Sequence, residues 1–107
     1  MNYRVRLTDT AKQDLRDIAF WIADQSKDVR TARQFVAELR SECKKLELLP
    51  EAGSFPKDRI LRSSGYRFTV HGNYLIFYVI SKETGTVDVM AIFNAKKDYM
   101  RVMSKYI

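Results

Sequence analysis

A chain of 107 residues, 46% apolar and 30% charged, can bury one hydrophobic core and is too short for two, so residues 1–107 are expected to form one domain. Nineteen basic against thirteen acidic residues leave a net charge of +6, which points to an anionic partner: nucleic acid, an acidic protein segment or an anionic membrane surface. The single cysteine, Cys43, excludes an intrachain disulfide, and with one histidine, His71, it cannot build a structural zinc site.

Tyr3 to Leu7 alternates with period two and reads as a strand. This opening has no signal-peptide apolar region, and the longest uncharged stretch, Phe68 to Ser81, is shorter than the roughly 20 residues that cross a bilayer. A cytoplasmic location is therefore expected. Thr8 stands as N-cap before Asp9, Thr10 and Ala11, and Ala11, Leu15, Ile18, Ala19 and Ile22 form the apolar stripe of an amphipathic helix. Phe20 and Trp21 widen that stripe, so Trp21 is expected to be packed at the junction of this helix with the next one or with the sheet. Ser26 or Asp28 caps a second helix, whose stripe runs Ala32, Phe35, Val36, Leu39, Cys43, Leu46 and Leu49 up to Pro50. Cys43 lies on that stripe and is expected in the core. Two long helices joined by a short polar connection form an antiparallel hairpin.

Pro50 to Ser64 holds both prolines and reads as a surface loop. Gly65 to Val70 is a strand, His71-Gly72-Asn73 a tight turn, and Tyr74 to Ser81 a strand buried on both faces. Lys82 to Gly85 turns the chain into a third strand of this meander, Thr86 to Asn94. Lys97 to Tyr106 then carries Tyr99, Val102, Met103 and Tyr106 at helical spacing. The fold class is α+β: an N-terminal strand and an α-helical hairpin packed on a small antiparallel sheet, with a short C-terminal helix.

No glycine-rich phosphate loop, paired carboxylates or nucleophile with a neighbouring base appears in the sequence. A basic and aromatic set remains on or beside the sheet: Arg59, Arg62, Tyr66, Arg67, Lys96, Lys97 and Tyr99. Such residues hold phosphodiesters, stabilise charge on a phosphorane and stack on bases, so the set suits either metal-free RNA cleavage or a docking surface. No cofactor or metal is called for.

Gly65 to Tyr78 (GYRFTVHGNYLIFY) and Val87 to Asp98 (VDVMAIFNAKKD) resemble the strand motifs of the RelE/ParE superfamily of toxins from type II toxin–antitoxin modules. The opening, with Thr8, Ala11, Asp14, Leu15, Ile18, Trp21 and Ile22, and the segment Leu48 to Gly53 are similar to that family too, so the resemblance covers almost the whole chain. It implies a cognate acidic antitoxin as partner, contact with DNA only indirectly through that antitoxin, and no membrane role. RelE-type members cleave messenger RNA on the ribosome, whereas ParE-type members are held to poison DNA gyrase. This chain departs from the ribonuclease pattern where Leu75 follows Asn73-Tyr74 and where Asn94-Ala95 ends the last strand, since Asn is no general base near neutral pH. The long helical hairpin from Thr8 to Leu49 also looks more like ParE. The resemblance thus implies a ParE-like gyrase inhibitor of the plasmid-stabilisation type, with a RelE-like mRNA interferase or a non-toxic antitoxin-binding relative as alternatives. Arg67, with Lys96 and Lys97 as helpers and Arg62, Tyr66 and Tyr99 nearby, is expected to carry the toxic effect from one concave face. The alternative for Arg67 is an ion pair with Asp88 or Asp98 that only stabilises the fold.

Overall fold

The computed structural model describes residues 2–106, and Met1 and Ile107 lie outside the described residues. Strand β1 (Arg4–Leu7) leads through Thr8 into helix α1 (Asp9–Ser26), and the Thr8 hydroxyl accepts the Ala11 N–H as an N-cap. Lys27 turns the chain with φ 56°, and Asp28, whose carboxylate accepts from Arg30 N–H, starts helix α2 (Val29–Lys44). The helical run stops short of Leu49. It tightens into a single 3-10 turn at Lys45–Glu47, because Pro50 disfavours helical geometry in the residue before it, and a second 3-10 turn follows at Pro50–Ala52. The segment expected as plain loop contains a short helix, α3 (Arg59–Ser63), capped by Asp58. Strands β2 (Tyr66–His71), β3 (Tyr74–Ser81) and β4 (Thr86–Asn94) form the expected meander, and α4 (Tyr99–Met103) closes the chain with a 3-10 turn at Ser104–Tyr106.

The sheet order is β1-β4-β3-β2. The N-terminal strand pairs parallel to β4, Val5 beside Val87 and Leu7 beside Val89, so the sheet is mixed rather than wholly antiparallel. A second adjustment concerns its faces. The helical hairpin covers one of them: Leu15, Ile18, Leu39 and Cys43 pack with Ile76, Tyr78, Val87 and Val89. The other face is covered as well, because Leu61 of α3 and Met103 of α4 join Tyr66, Phe77, Ala91 and Phe93. Two covered faces account for the unbroken apolar run of β3, which no half-solvated strand would carry. Burial pushes the Cys43 thiol up to about 11, as suits a packed and inert cysteine.

The sheet register decides what can meet what. Arg67 lies opposite Tyr78, and Tyr78 opposite Val89, whereas Asn94 lies opposite Tyr74 and Tyr74 opposite His71. Strands β2 and β4 therefore run the same way, and the start of one lies far from the end of the other.

Candidate functional site

The expected basic set divides into two places and a buried remainder. At the start of β2, the Arg67 guanidinium lies over the Phe55 ring at 4.1 Å, and Arg62 from α3 lies over the same ring at 4.7 Å. Arg67 also donates to the carbonyls of Glu51 and Gly53, at 3.2 and 3.3 Å. It makes no ion pair with either expected carboxylate. Asp88 is held by Arg6 through two bonds of 2.9 and 3.2 Å, and Asp98 caps α4 by accepting from Met100 N–H. The loop that Arg67 grips is anchored from beneath, where the buried Tyr78 hydroxyl donates to the Pro50 carbonyl at 2.6 Å and accepts the Gly53 N–H at 3.0 Å. A half-buried arginine is thus set against an exposed aromatic ring, with the exposed Arg62 on the same ring, while Arg59 is exposed at the first position of α3.

Lys96 and Lys97 stand at the opposite end of the sheet, on the turn after β4. The five steps along β4 from Val89 to Asn94 put them on the order of 15 Å away along the strand direction. The expectation that Arg67, Lys96 and Lys97 gather on one concave face is therefore corrected, since parallel strand directions in a three-stranded meander separate a start from an end. Tyr66 and Tyr99 are not free for stacking on a ligand either. Tyr66 is buried against Tyr106, and burial pushes its hydroxyl pKa up; Tyr99 stacks on Phe77 with centroids 6.0 Å apart.

Lys96 and Lys97 instead border a cleft of about 600 Å³ between α1, the end of β4 and the C-terminal turn. Trp21 lines it and is 56% exposed, which corrects the expectation of a packed tryptophan. The α1 stripe that reaches the core is narrow (Ala11, Leu15 and Ile18 are its buried residues), so Trp21 on a neighbouring turn angle faces outward. Asp14 projects from α1 to the strand edge and accepts the Ile92 N–H at 2.9 Å. Its burial raises its pKa, opposed by that hydrogen bond and by the charges of Lys105 and Lys97. The turn itself is folded on Asn94, whose side-chain oxygen accepts from Lys96 N–H and whose carbonyl accepts from Lys97 N–H.

Sequence reasoning gave His71 no role beyond a polar turn residue. Its ring contacts Glu38 at 3.0 Å and Glu42 at 3.7 Å and packs against Phe35, so the β2–β3 turn is tied to α2. The hydrogen bond from His71, joined by one from Gln34, holds Glu38 below the usual carboxylate value. The spacing of Glu38 and Glu42, one helical turn apart, was the available signal. Phe55 was missed as well, because a lone aromatic in a loop has no periodicity to mark it.

Residues 5–99 match the family described as ParE toxin of type II toxin–antitoxin system, parDE. Among solved structures, the toxin–antitoxin complex RelBE2 from Mycobacterium tuberculosis is similar, with 23% identity over 88% of this chain and 99% of that one and a TM-score of 0.67. The chromosomal ParDE system of P. aeruginosa gives 14% identity, 86% and 95% coverage and a TM-score of 0.70. A double mutant of E. coli toxin RelE in the free state gives 14% identity, 100% and 99% coverage and a TM-score of 0.66. No curated protein matches the chain. With nearly the whole fold and most of its length matched, the chain belongs to the ParE toxin family within the RelE/ParE superfamily of type II toxin–antitoxin systems.

Proposed function

We propose that this toxin acts by binding rather than by cleaving RNA, in the ParE manner with cytoplasmic DNA gyrase as its target, and that an acidic antitoxin neutralises it. The observation that carries the proposal is the environment of Arg62 and Arg67. Metal-free cleavage of RNA needs one group to take the 2′-hydroxyl proton and another to return a proton to the leaving oxygen. The acid–base candidates marked by the sequence are engaged or distant: His71 is held by Glu38 and Glu42, Tyr66 is buried, Tyr99 is stacked on Phe77, and Lys96 and Lys97 occupy the far end of the sheet. Two guanidiniums around an exposed ring suit recognition of an acidic or phosphate-bearing surface.

Titrating the purified protein into a gyrase supercoiling reaction tests the proposal. Dose-dependent loss of supercoiling, with transcripts left intact on translating ribosomes, is the expected result. Cleaved transcripts with unaffected gyrase would assign the chain to the ribonuclease branch instead.

A further inference from the structure

The end of β4 has an outer edge that the fold leaves partly open. β1 pairs with β4 only as far as Val89, because the chain then leaves the sheet through Thr8 into α1. The register between β3 and β4 shifts at Phe77/Tyr78, so β4 carries an extra residue at Met90 and turns beyond it. Ala95 N–H donates inward to Asn73, while Ile92 N–H points outward to Asp14. Strand alternation then places the backbone groups of Met90, Ile92 and Asn94 on the outer edge. Several have partners: Met90 C=O accepts from the Tyr106 and Thr8 hydroxyls, Ile92 N–H is taken by Asp14, and Asn94 C=O by Lys97 N–H. Beyond the extra residue, the carbonyl of Ile92 and the N–H of Asn94 are without a protein partner among the described residues.

These two groups flank Phe93, and their spacing is that of a parallel ladder. In such a ladder one residue of the neighbouring strand donates to the carbonyl of residue i−1 and accepts from the N–H of residue i+1. β1 is already parallel to β4, so a guest strand here continues the line that β1 abandons. The edge opens into the cleft that holds Trp21 and Ile18 on the α1 wall and Lys97, Val102 and Lys105 on the other. Alternate side chains of a guest strand would face these two walls in turn. The α1 wall carries Asp14 and Asp17 beside its apolar residues and repels a guest carboxylate, whereas the lysine wall attracts one.

We propose that the antitoxin inserts a short extended segment into this cleft as a strand parallel to β4, pairing with Ile92 C=O and Asn94 N–H, with an apolar side chain against Trp21 and an acidic one toward Lys97 and Lys105. The proposal rests on the toxin–antitoxin assignment and adds to it the site, the strand direction and the order of side chains. Main-chain pairing supplies affinity, and the two walls select an alternating apolar and acidic sequence.

The test uses the full chain and the protein encoded by the adjacent reading frame. Hydrogen exchange on the purified complex should show the Asn94 amide protected on binding. Asn94→Pro removes that donor at an edge position together with the side-chain bond to Lys96 N–H, so it is compared with Asn94→Ala, which loses the same side-chain bond and keeps the donor: the proline variant should bind at least about tenfold more weakly than the alanine one, with melting temperatures within a few degrees of each other. Lys97→Glu with Lys105→Glu should weaken it severalfold and flatten its salt dependence. A stable complex in which the Asn94 amide exchanges freely, Asn94→Pro binds as tightly as Asn94→Ala and the double lysine variant binds as tightly as the wild type overturns the proposal alone. No complex with the wild type overturns the toxin–antitoxin pairing and the proposal with it. Concentration-dependent dimers of the chain alone, abolished by Asn94→Pro, would assign the edge to a second copy and also overturn it.

Discussion

The Tyr78 hydroxyl, at the centre of the sheet, reaches the carbonyl of Pro50 at 2.6 Å and so fastens the loop that carries the Arg67–Phe55 pair to the core. Tyr78→Phe keeps the ring and leaves Pro50 C=O and Gly53 N–H unpaired in a buried place. A loss of about 1–3 kcal/mol is expected, read as a fall of roughly 5–15 °C in melting temperature. Gly53→Ala should act in the same direction, because an added Cβ meets the Tyr78 hydroxyl and the Phe68 carbonyl.

Arg67 contributes to stability as well as to any target contact. Arg67→Ala removes two bonds to carbonyls and the packing on Phe55, and should cost about 1–2 kcal/mol in chemical denaturation. Replacing Lys96 and Lys97 together by Ala touches exposed side chains and should leave stability within about 0.5 kcal/mol. Since the two places are far apart, their effects on growth inhibition after induced expression should add as free energies. A triple variant no weaker than the stronger parent would show that they act as one site.

Trp21→Ala should change the melting temperature little. The side chain is more than half exposed, so the loss stays below about 1 kcal/mol instead of the roughly 3–5 kcal/mol of a buried tryptophan. Antitoxin affinity, measured by calorimetry, should fall. A drop of more than 10 °C in melting with unchanged affinity would return Trp21 to a packing role.

Asp14 gives stability a distinctive pH dependence. Its folded-state pKa is raised by burial above the ordinary 3.8, so its contribution to stability is fully present below that value and is lost as pH rises through the raised pKa. Asp14→Asn keeps an oxygen acceptor for Ile92 N–H and removes the buried charge. The stability of the wild type relative to this variant should therefore decline as the pH is raised above the ordinary 3.8, as followed by urea denaturation. A difference that grows as the pH rises would mean that the lysines outweigh burial.

Much of the fold was legible from residue spacing, because it rests on local rules. Thr8 and Asp28 cap the two long helices as their side chains require, and the three strands of the meander lie within a residue of their expected bounds. Short elements were less visible: α3 is a single five-residue helix whose only marker is the Asp58 cap. The candidate site depended on information that no local pattern holds.

The sequence by itself determined the class of the molecule: an α+β fold with a net positive charge, a capped helical hairpin, a central strand buried on both faces and a motif order similar to one toxin superfamily. The tertiary structure alone decided which of its basic residues meet. Spacing along a chain sets which face of an element a side chain occupies, but strand direction and register set which end of the sheet it reaches. For that reason Arg67 found Phe55 instead of Lys96 and Lys97, and the lysines found a cleft with Trp21 at the open edge of β4.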